Sequence, residues 1–447
     1  MLSEQDNDIM CRVGPGTAMG NLMREFWIPA LMSSELPVPD GPPLRLRLLG
    51  ENLVSFRDSR GKVGIFQQAC PHRGASLFFG RNEEEGLRCV YHGWKFDTSG
   101  ACVDMPSEPA ESNFKSKVRV RAYPTRERGE VVWVYMGPRE SDRLPPLPDI
   151  ETNMSPAGVN SANKILRECN YVQALEGDID TSHISFLHRN LQEDAFAATP
   201  DEFNKYVGGD SAPRYQVDET EYGTIYGAYR PAEEDSFYFR IGQFVLPFYT
   251  MPGTGRLGYG GRRGFRAWVP VDDDHTMFFT IGAPRNYNMF GSRQPVNRPA
   301  PAGDDGRFMP ETTDWASGRW RLSANRDNDY MIDREAQKTV NYTGIGNIHL
   351  QDQAITESMG PIYLRQHEHL GTSDSMIIRT RRRLIRAAKA HRDEGVIPSV
   401  VDHPELYRVR SGGVVIPRNA DWLQATADLR RVDREIEEAL ALQEVET

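Results

Sequence analysis

The sequence predicts an α+β protein in two units: a small antiparallel β domain over residues 25–138 and a larger domain over 151–447 that combines antiparallel strands with helices. Three observations predict it. Short runs with period-2 alternation recur before residue 138 and again over 213–282. A stiff Leu144-Pro145-Pro146-Leu147-Pro148 segment marks a linker over 139–150. Beyond it, apolar residues also recur at helical spacing, as in Val172, Leu175 and Ile179. At 447 residues with 39% hydrophobic and 26% charged residues, the chain has the length for two large domains and the composition for a sizeable core.

In chain order, residues 1–24 form a helical segment that packs with the larger domain, with a short capped helix beginning after Gly14-Pro15-Gly16-Thr17. Leu44, Leu46 and Leu48 alternate with Arg45 and Arg47, the pattern of a half-buried strand. Gly50-Glu51-Asn52 and Asp58-Ser59-Arg60-Gly61 are turns. Val131 to Met136 is a strand stopped by Gly137-Pro138. After the linker, Gln173, Glu176, Asp180 and His183 fall at spacings of three and four, one polar face of a helix. His183 and His188 stand about 140° apart on an ideal helix, so they share a metal only if the helix widens or breaks. Strands are expected at Thr224–Arg230, Ser236–Val245, Gly264–Val271 and Thr276–Gly282, with a tight turn at Asp272-Asp273-Asp274. Residues 284–328 are rich in Pro, Gly and Arg, a long loop expected to serve function or a subunit contact. Asp352 to Met359 reads as helical, and Ser373-Asp374 begins a long helix ending near Gly395, whose basic run from Arg379 to Lys389 reads as a solvated face.

A net charge of −10 argues against nucleic acid as a partner. No apolar run approaches the roughly 18 residues that span a membrane. The acidic start, Met1-Leu2-Ser3-Glu4-Gln5-Asp6, has no apolar core, so no secretory signal is expected. Five cysteines without framework spacing read as a reduced, cytoplasmic protein.

The most specific stretch is Cys70-Pro71-His72 followed by Cys89-Val90-Tyr91-His92, with sixteen residues between His72 and Cys89. Zinc accepts the same four donors, but zinc sites usually group Cys with Cys and His with His. The mixed order resembles a Rieske [2Fe–2S] site, in which two Cys hold one iron and two His the other. The flanks His72-Arg73-Gly74-Ala75-Ser76-Leu77 and His92-Gly93-Trp94-Lys95-Phe96-Asp97 are similar to that consensus. Respiratory Rieske proteins carry a further disulfide-forming Cys in each loop. Here Ala75 and Tyr91 stand in those places.

This site, followed by Asp180-x-x-His183-x4-His188, resembles the large (alpha) subunit of Rieske non-heme iron aromatic-ring oxygenases over nearly the full chain. The phthalate dioxygenase branch is the most similar, on Glu176-Gly177-Asp178-Ile179-Asp180-Thr181-Ser182-His183, Glu357-Ser358-Met359-Gly360-Pro361-Ile362 and Glu368-His369-Leu370-Gly371-Thr372-Ser373-Asp374. The resemblance implies a Rieske domain and a helix-grip catalytic domain with a curved antiparallel sheet. It implies that Cys70, His72, Cys89 and His92 hold the cluster, and that His183, His188 and Asp352 hold Fe(II). Two His and one carboxylate leave positions open for O₂. Glu357 and Asp374 remain alternatives for the carboxylate, and His367 and His369 read as surface or hydrogen-bonded residues. Asp180 is implied to link His183 to His92 of a neighbouring subunit, in a homotrimer or a stacked hexamer without a β subunit. The roles of Glu176 and Asp178, both close to that link, stay open.

No dinucleotide fingerprint is present, so NADH enters through a separate reductase. In the branch resembled, that reductase carries a flavin and a plant-type [2Fe–2S] cluster. Arg230 and Arg240 lie among aromatic residues that include Phe244 and Phe248. Arg suits bidentate carboxylate binding, so the expected substrate is a phthalate-like aryl carboxylate, dihydroxylated with O₂. The alternatives are a monooxygenase that O-demethylates a methoxylated aryl acid and, from another class, a Rieske-type electron carrier. A carrier needs only about 100 residues and leaves His183, His188 and Asp352 without a purpose.

Overall fold

A computed structural model of the chain describes residues 2–155, 160–191, 205–207, 210–258, 264–284, 308–310 and 320–432. The expected 284–328 loop falls largely on 285–307 and 311–319, outside the described residues.

The first unit is built from three small antiparallel sheets. β1 (Trp27–Met32) pairs with β11 (Val131–Tyr135), which pairs with β10 (Thr125–Arg128). β2 (Leu44–Leu48), β3 (Glu51–Arg57), β4 (Val63–Gln67) and β9 (Ala122–Tyr123) form the second sheet. β5 (Arg81–Glu83), β6 (Gly86–Arg88), β7 (Lys95–Phe96) and β8 (Cys102–Asp104) form the third. Leu46 and Leu48 point inward on β2, as alternation requires. Leu49 and Gly50 turn between β2 and β3 with φ of 46° and 79°, the two left-handed positions of a type I′ hairpin. Their N–H groups donate to the Pro270 and Val271 carbonyls of the second unit, at 3.1 and 2.9 Å. The Trp27 indole donates to the linker carbonyl of Pro145 at 2.8 Å. The two units therefore share a bonded seam.

The second unit centres on an antiparallel sheet that has eight strands among the described residues. These are β12 (Asn160–Arg167), β13 (Arg214–Glu219), β14 (Gly223–Pro231), β15 (Ser236–Val245), β16 (Tyr249–Met251), β17 (Phe265–Pro270), β18 (Thr276–Pro284) and β19 (Gly412–Pro417). The order is β12-β18-β17-β16-β15-β14-β13. One edge of β15 is divided, with β19 on its first half and β16 on its second.

The helices are α1 (Glu4–Cys11), α2 (Ala18–Arg24), α3 (Glu151–Met154), α4 (Tyr171–Ile179), α5 (Ile184–Leu187), α6 (Ala336–Thr339), α7 (Ile348–Ser358), α8 (Ser375–Glu394) and α9 (Trp422–Ala425). Among the described residues none is long and apolar enough to cross a membrane. α4 lies on the sheet against β15, β16 and β17. Its N-cap, Asn170, accepts from Val172 N, and its amide donates to Cys11 O and Asp273 O. One side chain thus ties α4 to α1 and to the turn after β17. The Tyr171 hydroxyl adds a bond to Met10 O at 2.9 Å.

The basic run of α8 is the solvated face expected at Arg379, Arg382 and Arg386, which are exposed, but not at Arg381. Arg381 is buried and grips Glu176 at 2.5 and 2.9 Å while also bonding Glu368, and Arg365 lies 3.4 Å from Glu176. Arg379 and Arg386 pair with Glu219 on β13, and Lys389 pairs with Asp6. Arg381 is spent on packing α8 against acidic neighbours, which periodicity alone does not reveal. Burial would raise Glu176, but Arg365 and Arg381 hold it below the ordinary carboxylate value. Removing one member of a buried ion cluster strands its partners. Arg381→Met is therefore expected to cost about 3–5 kcal/mol of stability, read from the denaturant midpoint. An unchanged midpoint would show that the cluster adds nothing.

Candidate metal centres

Two loops of the first unit place Cys70, His72, Cys89 and His92 at one end of it, and they are built alike. Cys70 N donates to Ala75 O and Gly74 N to Cys70 O. Cys89 N donates to Trp94 O and Gly93 N to Cys89 O, and all four bonds are 2.8–2.9 Å. Gly74 and Gly93 adopt φ of 75° and 78°, the left-handed region these tight turns require. The His72 and His92 ring centroids are 4.3 Å apart, and Trp94 stacks on His72. Burial, reinforced by the adjacent Cys89 thiol, pushes the Cys70 thiol up to about 11. His72 Nδ1 is buried without a hydrogen-bond partner. Two crowded thiols and an orphaned imidazole nitrogen are the donor set that a [2Fe–2S] cluster with mixed ligands takes up, so these residues fit it. Val90 and Tyr91 stand exposed at the tip of the second loop.

The second centre lies where α4 ends. The continuous helical face expected from Gln173 to His183 is interrupted, because α4 stops at Ile179 and Asp180 is extended. The Asp180 carboxylate accepts from Ser182 N at 2.7 Å, a local bond that competes with helix propagation. The four-residue α5 then separates His183, at its N-cap, from His188, at its C-cap. His183 keeps helical backbone angles (φ −62°, ψ −27°), the chain leaves them at His188 (φ −99°, ψ 13°), and the imidazoles converge. His183 Nε2 and His188 Nε2 are 3.2 Å apart, and Asp352 Oδ1 lies 3.7 and 3.1 Å from them. Among the described residues this is the one group of three or more His, Cys, Asp or Glu side chains with donor atoms close enough to share a metal ion. Burial would raise Asp352, but His188 and His183 hold it down at about 2, so it is an anion near neutral pH. Two imidazoles and one carboxylate are the donor set of a facial Fe(II) site, which these residues fit.

The alternatives for the carboxylate are engaged elsewhere. Glu357 accepts from Glu168 N, Gln353 and the Tyr330 hydroxyl. Asp374 accepts from Gly371 N. Asp178 is also engaged, taking bonds from Thr250, Trp268 and Arg266 that fasten α4 to the sheet.

Of the expected substrate residues, Arg230 and Arg240 share the face of the sheet that carries α4. Register places Tyr226 opposite Gly242, Ala228 opposite Arg240 and Arg230 opposite Tyr238. Arg230 is fully buried, its Nε donates to Asp210 O at 2.7 Å, and both its terminal nitrogens lack partners among the described residues. Burial and the nearby Arg240 charge lower its pKa. Arg240 donates to Gly253 O and to Thr181 Oγ1, beside Asp180. Phe244 lies on the same face four residues on from Arg240. Phe248 packs against Tyr249, whose hydroxyl reaches Trp27 O in the seam between the units, and none of its described contacts is with the triad.

Three site residues were not anticipated from sequence. The Tyr215 hydroxyl lies 3.0 Å from Ser182 Oγ and accepts from Thr181 N at 3.3 Å, which holds the loop between Asp180 and His183. Arg167 is buried over the Trp268 and Phe278 rings and donates to His349 O, three residues before Asp352. Gln351 bonds His188.

Residues 26–124 match the family described as Rieske [2Fe-2S] domain, and residues 134–446 match the family described as LigXa C-terminal domain like. The chain is 46% identical over 430 residues to the 3-chlorobenzoate-3,4-dioxygenase oxygenase subunit of Comamonas testosteroni, which covers 94% of this chain and 97% of that protein. It is 36% identical over 453 residues to the phthalate 4,5-dioxygenase oxygenase subunit of Pseudomonas putida, covering 94% of each. Dicamba monooxygenase bound to dicamba shares the fold, with a TM-score of 0.53 at 17% identity over 83% of this chain and 99% of that one. The matched regions contain both centres, and the chain belongs to the Rieske non-heme iron oxygenases as a terminal oxygenase (alpha) subunit with a [2Fe–2S] cluster and a mononuclear iron.

Proposed function

We propose that this oxygenase dihydroxylates an aryl carboxylate, with Cys70, His72, Cys89 and His92 holding the cluster and His183, His188 and Asp352 holding the iron. The bound iron supplies O₂ binding and activation, and the cluster supplies the second electron needed. The observation that carries the substrate class is Arg230. A buried guanidinium with unpartnered nitrogens is costly, and a carboxylate satisfies it bidentately. Arg240 gives the same face a second cation beside the metal loop, and Phe244 gives it apolar surface. The names of the two relatives above, for 3-chlorobenzoate and phthalate, agree with an aromatic acid.

Rieske oxygenases draw electrons from ferredoxin or reductase components. Here we assign the NADH-dependent flavin and plant-type [2Fe–2S] reductase, acting in the cytoplasm. The assembly we assign is a homotrimer, alone or as a stacked hexamer, without a β subunit. Exposed apolar side chains support it at both ends of the electron path: Val90 and Tyr91 at the cluster tip, and Phe186, Tyr342, Ile348 and Ile355 on the elements around the triad. Clustered apolar exposure marks a protein contact.

The test is a single turnover of reduced protein with ¹⁸O₂ and a panel of benzoates, phthalates and methoxybenzoates. A product gaining both oxygen atoms establishes dihydroxylation. Release of formaldehyde replaces that reading with O-demethylation. Cluster reoxidation with every compound unchanged refutes the aryl carboxylate. For the active acid, Arg230→Met is expected to raise KM about 10- to 100-fold, the equivalent of losing a charged hydrogen bond worth about 1.5–3 kcal/mol. KM for the corresponding amide should stay nearly constant, and an equal rise for both would remove Arg230 as the carboxylate anchor.

A further inference from the structure

Each imidazole of the triad has a second ring nitrogen, and the structure gives the two different partners. His183 Nδ1 faces Asp180 Oδ2 at 3.2 Å, whereas His188 Nδ1 faces Gln351 Oε1 at 2.7 Å. An amide has a donor end and an acceptor end, and a flip exchanges them. That flip is closed for Gln351, because its Nε2 sits 2.7 Å from Ile345 O, an atom that only accepts. The side chain is buried, on the first turn of α7, whose N-cap Asn347 binds His349 N and Leu350 N. With Nε2 committed to Ile345, Oε1 faces His188, and His188 carries its proton on Nδ1. Its Nε2 is then the atom turned toward Asp352 and His183.

We infer that Gln351 is a positioning residue for the mononuclear iron, fixing the tautomer and ring plane of His188 through a neutral acceptor while Asp180 serves His183 through an anionic one. This rests on the reading that His183, His188 and Asp352 hold the iron. One helix turn then supplies both a ligand, Asp352, and the group that orients another. The neutral partner adds no charge at His188 Nδ1, so of the two Nδ1 atoms only that of His183 faces a carboxylate among the described residues.

The test is Fe(II) affinity, by chelator competition, on the full chain with its cluster in place. Gln351→Met removes the acceptor at nearly constant volume and should weaken iron binding about 10- to 100-fold, the usual cost of losing such a partner. Gln351→Glu restores an acceptor for Nδ1–H and should bind less than tenfold more weakly than the parent. Cluster absorbance and the apo-protein melting midpoint report folding. If the Met variant does not fold, Gln351→Asn, too short to span both partners, replaces it with the same expectation. Parent-like affinity in the Met variant overturns the proposal. Equal losses in Met and Glu also overturn it, since Gln351 would then act only by anchoring α7 through Ile345. His188→Ala separates the two readings. If it keeps its iron, the triad assignment falls. If it loses iron while Gln351→Met does not, only the role of Gln351 falls.

Discussion

His183→Ala is expected to abolish turnover and empty the mononuclear site while leaving the visible spectrum of the cluster unchanged. The triad supplies three donors, and the two imidazole nitrogens lie 3.2 Å apart. Losing one leaves an imidazole and a carboxylate, too few to hold Fe(II) against solvent. The affinity loss should exceed the 10- to 100-fold typical of an outer partner. The cluster should survive for a structural reason. Its loops are closed by their own backbone bonds, Cys70 to Ala75 and Cys89 to Trp94, and by the Trp94 stack on His72. None of these involves α4 or α5. The fold should survive as well, because His183 lies at a helix end and is part-exposed, so stability should change by no more than about 1 kcal/mol. Metal analysis should then read about two irons per chain in place of about three, the two of the cluster remaining. Loss of the cluster together with the third iron would overturn the two-centre reading, and so would turnover that persists.

What could be read in advance follows from how local each determinant is. The proposed cluster ligands are legible because each loop carries its Cys and His within four residues, with a glycine where the chain takes a left-handed turn. The strands of the larger sheet are legible because alternation sorts their faces. Gly223–Pro231 and Ser236–Val245 lie within a residue or two of the expected ranges. The end of α8 is legible because Gly395 takes the left-handed cap, at φ 69°. The break at Asp180 was harder. The polar stripe continued in sequence past the point where a side-chain bond to Ser182 stops the helix. Gln351, Tyr215 and Arg167 carried no signal, since an amide on a helix, a tyrosine on an edge strand and an arginine in a strand are ordinary surface residues until packing brings His188, Ser182 and His349 against them. Arg381 departs from the otherwise exposed basic face of α8 for the same reason, because Glu176 on α4 and Glu368 come against it only in the packed fold.

Asp180→Asn is expected to keep both metals largely bound and to slow electron transfer between them about 10- to 100-fold. Burial would raise the Asp180 carboxyl, but His183 and the backbone N–H groups of Ser182 and His183 hold it below the ordinary value. It is therefore an anion, with one oxygen on Ser182 N and the other on His183 Nδ1. Asparagine keeps the shape and can still accept from Ser182, but it turns an N–H donor toward His183, which already needs an acceptor there. The expected reading is a slower cluster reoxidation after reduced protein meets O₂ and substrate, with Fe(II) supplied in excess so that the weaker hold on His183 still leaves the site filled. Parent-like reoxidation would remove the bridging role. A slow rate has a second explanation, displacement of the loop that carries His183, and Tyr215→Phe distinguishes the two. It removes the bonds of Tyr215 to the Thr181–Ser182 loop, leaving Arg240 on Thr181, without touching the Asp180–His183 contact. If loop position sets the rate, the two variants slow alike. If the carboxylate carries the link, Asp180→Asn slows reoxidation and Tyr215→Phe leaves it near the parent's.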